Sequence, residues 1–399
     1  MCAEGVKVPE IAGVKRVDDY TATVTYNSVN IIGDRTINMY LVPEHYYGEY
    51  TKGDVGNILK NMEPMGSGPY KWGGFSDNIV TLTANNDYFE GQPKTPNVKF
   101  QFVPHADTVA ELAAGRIDIG NPNSSQEVLD EIEASGNMAY ELVPNAGYGY
   151  MGMNAKTMSK EVRQGIFYLM NRKPAVQGYF GELANVIERP MTTILAEYPK
   201  DATEVYAYSP DKALEKFKEA GYTQQNGKLV NSKGEQLKVV AYVGGSGSGD
   251  HPAYAMLTQA STAMAELGGE LQIQDVDFNV LQAAMNDGTA DMWCLAWGAS
   301  NNCDRSPQFS STGAQNRYGI ADEKMDNLLA EIVKESDLEA RKVLVSQMLD
   351  HAMDLAIELP LYQRQNVWGY NSDNINMDTV EESSATWDFT DFLWKIEMN

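Results

Sequence analysis

The sequence predicts an α/β protein with two or more domains. Its 399 residues are too many for one hydrophobic core. Residues 154–366 alternate helical with strand patterns, as an α/β domain does. A third observation is the apolar run at residues 292–297. There Trp293, Leu295 and Trp297 share one face and apolar residues fill the other, which predicts a strand covered on both sides.

The end of this predicted strand is the first candidate site. Gly298 and several Asn, Asp and Pro residues follow it, and these residue types favour turns. A strand that ends in an aromatic residue before a polar loop commonly lines a pocket, so Trp297 is a candidate ligand contact. The alternative is that Trp297 is a large core residue at a strand end, which is the commoner role.

Composition excludes several classes of protein. The chain has 31 basic and 55 acidic residues, a net charge of −24, which argues against binding to nucleic acid or to anionic lipid headgroups. No run of eighteen apolar residues is present, and the first residues do not form a signal peptide. The three cysteines, Cys2, Cys294 and Cys303, cannot form a disulfide framework. A disulfide between Cys294 and Cys303 stays open.

Periodicity and turn residues predict the elements in chain order. A hairpin is expected at 15–26, strands at 79–84, 98–103 and 116–119, and a helix at 108–114. Helices follow at 160–170, 211–220, 252–267, 278–286 and 344–356, with strands at 237–242, 270–276 and 357–362. The glycine-serine run at 244–250 does not fit a nucleophile motif and is interpreted as a flexible connector.

Residues 145–154 contain a possible phosphate-binding motif. Gly147, Gly149 and Gly152 satisfy the G-x-G-x-x-G spacing, but no helix of small residues opens at Gly152 to receive a pyrophosphate. The segment is therefore interpreted as a crossing between domains that acts as a hinge, whose glycines allow close backbone approach.

Other chemistries have little support. Asp275, Asp277 and Asn279 begin like a calcium loop, but Val280 stands where the turn glycine belongs. The four histidines are scattered and never spaced for zinc, and no Ser-His-Asp set shows local spacing. We therefore expect no catalytic residue, metal or cofactor, and no enzymatic activity.

Several segments carry a family resemblance in collinear order. They include residues 66–71 (GSGPYK), 84–89 (ANNDYF), 92–94 (QPK), 113–119 (AAGRIDI), 161–166 (EVRQGI), 170–173 (MNRK), 209–213 (SPDKA), 219–222 (EAGY) and 357–362 (IELPLY). With the strand that ends at Trp297, they resemble the family 5 extracytoplasmic solute-binding proteins, the peptide- and nickel-binding receptors of ATP-binding-cassette (ABC) importers.

The resemblance implies a two-lobed periplasmic-binding-protein-like fold of type II. It implies that residues 1–65 are a remnant of an extra N-terminal subdomain, 66–150 the first α/β lobe, 151–366 the second lobe with the cleft strand, and 367–399 the return to the first lobe. Members normally have a signal sequence and a further domain's length before the region that residues 18–21 resemble. We therefore expect an N-terminal truncation that leaves the first lobe incomplete. The expected location is extracytoplasmic, in the periplasm or lipid-anchored at the cell surface.

The resemblance also implies ligand-binding residues. Trp297 and Phe278 match aromatic positions, and Gly298 and Ala299 would offer backbone groups to an extended ligand. Ser300 stands where peptide binders have an aspartate for the ligand's α-ammonium group, so Asp304 or another acid would have to replace that charge, or the ligand is not a free peptide. The remaining candidates are Tyr148, Tyr150, Asn316 and Tyr318.

The function expected from these observations is capture of peptides outside the cytoplasm and delivery to an ABC permease, by a monomer that binds no nucleic acid. The first alternative keeps the role and changes the ligand to a nickel chelate or another small organic solute. The second alternative is a non-transport use of the scaffold, as a chaperone, a sensor or an enzyme.

Overall fold

Two compact units make up the protein. The computed structural model describes residues 11–29, 43–48, 56, 60–298, 302–381 and 392–399. The first unit consists of Met1–Val143 together with Asn366–Asn399, and the second unit is the continuous segment Pro144–Gln365. The chain therefore passes between the units twice, once in each direction.

The first unit combines two small antiparallel sheets with short helices. Its elements are β1 (Ile11–Arg16), β2 (Ala22–Tyr26), α1 (Glu44–Tyr47), β3 (Tyr70–Ser76), β4 (Ile79–Ala84), β5 (Asn97–Gln101), α2 (Thr108–Ala113), β6 (Ile119–Gly120), α3 (Gln126–Ser135) and β7 (Met138–Pro144). The strands β1 and β2 confirm the predicted hairpin, and β3, β4 and β5 form a three-stranded sheet. The strand predicted at 116–119 is wrong in extent, because only Ile119 and Gly120 pair, with Tyr370 and Gly369.

The second unit begins at the strand that follows the first crossing. Its elements are β8 (Tyr148–Met153), α4 (Lys160–Tyr168), α5 (Arg172–Phe180), β9 (Ala184–Asn185), α6 (Pro210–Glu219), β10 (Thr223–Gln225), β11 (Lys228–Val230), β12 (Lys238–Val243), α7 (Tyr254–Glu266), β13 (Glu270–Asp275), α8 (Phe278–Asn286), β14 (Met292–Trp297), α9 (Ser306–Phe309), α10 (Glu323–Ile332), α11 (Leu338–Leu355) and β15 (Glu358–Asn371). The predicted helix at 278–286 and the predicted strands around β12, β13 and β14 are confirmed. The predicted last strand is longer than expected, because β15 continues into the first unit.

Local sequence explains where the second unit's helices begin. The Ser209 side chain accepts a hydrogen bond from the backbone N–H of Lys212, and Pro210 occupies the first turn of α6. A proline there costs no hydrogen bond, because the first N–H groups of a helix have no partner within it. Asp337 caps α11 in the same way through the N–H of Ala340.

The sheet of the second unit is mixed. Its strands lie in the order β13-β12-β14-β8-β15. The strands β13, β12 and β14 are parallel, whereas β8 runs antiparallel to both of its neighbours. The core of this unit joins side chains of the sheet to α4, α6 and α7, and it includes Met151, Phe217, Val239 and Leu257. Helices and sheet thus bury one continuous apolar core, as an α/β domain requires.

Most of the segment interpreted as a crossing between domains forms a central strand of the second unit. Every residue of β8 is buried, and the strand pairs with β14 on one side and β15 on the other. Gly152 lies opposite Trp293, and a β-carbon on Gly152 would come 2.4 Å from the Trp293 ring. Gly149 lies opposite Tyr362, and a β-carbon on Gly149 would come 2.4 Å from the Tyr362 ring. The glycines therefore serve packing inside the second unit.

Two expectations remain, one about a disulfide bond and one about membrane-spanning segments. Cys294 and Cys303 are both buried free thiols, so the disulfide left open between them is not formed. Among the helices in the described part of the chain, none combines the length and the apolar character needed to cross a bilayer.

Candidate functional site

Three elements of the second unit end at the same edge of its sheet. Because β12, β13 and β14 are parallel, their carboxyl ends share this edge, where ligands bind in open α/β sheets. The glycine-serine loop follows β12, Phe278 follows β13, and Trp297 ends β14. The pair Tyr242–Trp293 is the last between β12 and β14, so β14 runs four residues further, roughly 13 Å at the rise of a strand. Trp297 therefore projects beyond the ends of the neighbouring parallel strands.

The Trp297 ring is partly exposed and held on two sides. It stacks on the buried ring of Tyr150, with 5.1 Å between the ring centroids and 7° between the planes. Tyr150 is a diagonal cross-strand neighbour, since Trp297 pairs with Tyr148 in the register. The indole Nε1 donates a hydrogen bond of 3.0 Å to Glu358 Oε2. Stacking and hydrogen bond together fix the ring plane.

Glu358 is a fully buried carboxylate that joins several of the candidate residues. Its Oε1 lies 2.6 Å from the Tyr148 hydroxyl, and its Oε2 accepts from the Tyr318 hydroxyl as well as from Trp297. The Tyr148 hydroxyl also lies 2.8 Å from the carbonyl oxygen of Pro190. Burial raises the pKa of both tyrosines well above 10. Both hydroxyls thus stay protonated and act as donors.

Arg305 supplies a positive charge that acts on this carboxylate. Its Nη2 donates to the Tyr148 hydroxyl at 2.6 Å, and its guanidinium lies 5.8 Å from the Trp297 ring centroid and 5.5 Å from that of Phe309. Burial raises the pKa of Glu358, and the charge of Arg305 with the hydrogen bonds to the carboxylate limits that rise. The cluster thus contains one acid and one base, joined through a tyrosine hydroxyl.

Phe278 presents an apolar surface at the same sheet edge. It is the first residue of α8 and 52% exposed. An exposed phenylalanine at the edge where ligands bind is suited to contact apolar groups of a ligand. The structure gives no hydrogen bond or ring contact that ties Phe278 to the Glu358 cluster.

The glycine-serine loop contacts the side chain at the end of β13. The backbone N–H of Gly249 donates to Asp275 Oδ2 at 2.8 Å, and a β-carbon on Gly245 would come 2.5 Å from the same carboxylate. Burial raises the pKa of Asp275, but the backbone N–H groups of the loop, with that of Gly249 first, lower it below its ordinary value. The loop thus lies against the carboxylate at the end of β13.

The other candidate residues have different surroundings. Gly298 is exposed directly after β14, whereas Ala299 and Ser300 lie outside the described residues. Asp304 accepts from the backbone N–H of Ser306 at 2.8 Å. The Asn316 side chain bonds to backbone atoms of its own loop, with donors directed at the carbonyl oxygens of Ser310 and Ile320.

Sequence reasoning missed two members of the cluster. Arg305 and Glu358 were not among the candidates, although the structure brings both to Tyr148. The signal for Glu358 was a single charged residue inside the apolar run at 357–361. A carboxylate is almost never fully buried unless it has partners, so its position pointed to a polar cluster. In the part of the chain that the structure describes, no group of three or more metal-binding side chains comes together.

The second unit thus has the architecture of an α/β binding domain, with a partly exposed aromatic ring at the carboxyl edge of its sheet. The family model for bacterial extracellular solute-binding proteins, family 5, matches residues 3–319, and the chain belongs to this family. The oligopeptide-binding protein AppA of Bacillus subtilis is 26% identical over 317 residues, which cover 76% of this chain and 57% of AppA. The nickel-binding periplasmic protein of Escherichia coli is 24% identical over 319 residues, or 75% and 59% of the two chains.

A solved structure extends the comparison to the fold. HbpA2 from Haemophilus parasuis superposes with a TM-score of 0.80 at 20% identity, covering 98% of this chain and 76% of that one. This similarity confirms the predicted periplasmic-binding-protein-like fold. The chain spans less than three fifths of the length of the two curated relatives.

Proposed function

We propose that the protein is the substrate-binding component of an ABC importer that captures peptides outside the cytoplasm and delivers them to a membrane permease. Membership of family 5 supports the transport role, and similarity to an oligopeptide-binding relative supports the ligand class. In this proposal the protein is a monomeric receptor and not an enzyme. Its location is the periplasm or, with a lipid anchor, the cell surface.

The observation that carries the proposal is the fixed, partly exposed ring of Trp297 at the sheet edge. A rigid aromatic surface contributes a large apolar contact without losing much side-chain freedom on binding. Phe278 supplies a second exposed ring at the same edge. Gly298, exposed after the end of β14, leaves backbone groups for an extended peptide, as in strand addition. Asp304 remains our candidate for the charge that Ser300 lacks.

Tyr148, Tyr150 and Tyr318 take a supporting part in this proposal. All three are at most 3% exposed, and each contacts Trp297 or its hydrogen-bond acceptor Glu358. They therefore hold the ligand-binding ring in place from behind. Asn316 shapes the loop before Tyr318 through its backbone hydrogen bonds.

A nickel chelate or another small organic solute is the second candidate ligand. A nickel-binding relative matches over nearly the same length as the peptide-binding one, and Ser300 stands where peptide binders have an acid. Native mass spectrometry of the protein purified from bacterial cells separates the candidates. A heterogeneous envelope of peptide masses supports the first, whereas one discrete mass that is lost with a chelator supports the second.

Replacing Trp297 by alanine tests the binding surface. We expect the variant to fold but to bind a tryptic digest of casein at least about tenfold more weakly, which removes about 1.4 kcal/mol of ligand-induced stabilisation. The measurement is the shift of the melting temperature by the digest. The control is Trp72→Ala, a partly exposed tryptophan in β3 of the first unit, which should keep the full shift. Equal shifts in wild type and Trp297→Ala would show that the Trp297 ring does not contact the ligand and would contradict the proposal.

A further inference from the structure

One buried carboxylate controls the orientation of the partly exposed ring. Glu358 accepts from Trp297 Nε1, the Tyr148 hydroxyl and the Tyr318 hydroxyl. All three donors belong to aromatic side chains, and the Glu358 side chain is completely buried. The three donors come from β8, from β14 and from the loop before α10. The carboxylate therefore joins three separate elements behind the Trp297 ring.

The chemistry of the site requires an acceptor-only group. An ionised carboxylate offers two oxygens with about four acceptor positions, which suits three donors. A glutamine of the same size offers one oxygen and an amide that itself donates. The Tyr148 hydroxyl can donate instead to the carbonyl oxygen of Pro190, but the indole N–H and the Tyr318 hydroxyl both depend on Oε2. A neutral amide oxygen accepts more weakly than a carboxylate oxygen, so the exchange should weaken the hydrogen bond that holds the Trp297 ring.

The charge of the carboxylate is balanced without occupying the oxygen that accepts from Trp297. Arg305 donates to the Tyr148 hydroxyl, which in turn lies 2.6 Å from Glu358. The guanidinium and the carboxylate are therefore connected through Tyr148, and Glu358 Oε2 stays available to the indole. This arrangement stabilises the carboxylate while leaving its role at the Trp297 ring intact.

We infer that Glu358 is a positioning residue for ligand binding, which acts by fixing the plane of the Trp297 ring through the indole N–H. The inference rests on the proposed role of Trp297 as a ligand contact. Glu358 itself is buried behind the ring. Its contribution to binding is therefore indirect and depends on the indole nitrogen.

The first test needs no ligand. In protein with 15N-labelled tryptophan, the Trp297 indole resonance is assigned by its loss in Trp297→Phe. Glu358→Gln is expected to move this resonance upfield and to speed exchange of its proton about tenfold, the loss of a hydrogen bond to a charged group. The matched control is Glu197→Gln, which breaks the ion pair of buried Glu197 with Arg341 Nε at 2.9 Å and should leave the indole signal unchanged. An unchanged Trp297 signal in Glu358→Gln would overturn the inference.

The second test uses binding of a tryptic casein digest in a double-mutant cycle. Glu358→Gln and Trp297→Phe are each expected to weaken binding about fivefold to tenfold, and the double variant no further, because both remove the same hydrogen bond. Additive losses would show that Glu358 acts by another route and would refute the inference. If wild type does not bind the digest, the proposed peptide ligand is wrong, while the indole resonance still decides whether Glu358 fixes the ring. A Glu358→Gln protein that fails to fold is replaced by Tyr318→Phe, which removes the other donor to Oε2. The indole N–H then no longer shares this oxygen with a second donor, so the Trp297 resonance should move downfield, and an unchanged resonance would overturn the inference.

Discussion

Replacing Gly152 by alanine is expected to destabilise the second unit by a net amount of about 1–2 kcal/mol. The new β-carbon would lie 2.4 Å from Trp293, about 1 Å inside the closest normal carbon contact. Trp293 is 1% exposed and stacks on Tyr318 with 5.8 Å between ring centroids, so it has no free space to enter. Overpacking of this kind lowers the free energy of unfolding by about 1–3 kcal/mol. Alanine also restricts the unfolded chain more than glycine does, which raises the free energy of unfolding by about 0.4–1 kcal/mol.

The assay is urea denaturation followed by tryptophan fluorescence. Gly178→Ala serves as the control, because Gly178 lies in α5 of the same unit and a β-carbon there meets no atom within 4 Å. Alanine in a helix should stabilise by about 0.5–1 kcal/mol. The double variant Gly152→Ala/Trp293→Leu should lose less free energy of unfolding than the two single variants lose together, because the smaller leucine leaves room for the new β-carbon. A Gly152→Ala midpoint equal to or above that of wild type would refute the packing argument.

Two further predictions concern titration and thiols. Burial lowers the pKa of His251 below its ordinary value of 6.5, and its Nδ1 accepts from the N–H of Ala253, an acceptor that protonation removes. A lowered folded-state pKa means that stability is present above about pH 6.5 and is lost as the pH falls through the folded-state value. As the pH is lowered, the urea midpoint of wild type should therefore fall more than that of His251→Asn. Midpoints that fall in parallel with pH in the two proteins would contradict this. Burial also raises the pKa of Cys294 and Cys303 to about 12. In a Cys2→Ser variant no thiol should react with a chromogenic disulfide until urea unfolds the protein, and prompt reaction of either thiol would show that it is accessible.

The glycines of β8 illustrate a structural requirement that the local sequence does not reveal. Their spacing fitted a phosphate loop or a hinge, and both interpretations explained the glycines by the backbone of their own segment. Gly149 and Gly152 are three residues apart and thus lie on opposite faces of an extended strand. Tyr362 covers one face and Trp293 the other. The need for glycine comes from cross-strand neighbours, which a local pattern does not reveal.

The sequence alone determined the elements around the site. The period-two run of apolar residues and the turn formers after it predicted β14 and its end at Trp297. Residues 278–286 were likewise predicted as a helix, because apolar side chains recur at helical spacing there. Such predictions succeed because they depend on interactions between residues close in the chain. Ordered collinear segments also carried the family resemblance.

Only the tertiary structure decided what holds the Trp297 ring. Glu358 is 61 residues from Trp297 in sequence and 210 from Tyr148. The three residues meet because β8 pairs with β14 on one side and β15 on the other. Pairing of distant strands is set by burial of the whole sheet, to which helices and strands from all parts of the second unit contribute. A residue's own neighbours in sequence do not contain that information, so a buried acid in an apolar strand gains its role only when the sheet is assembled.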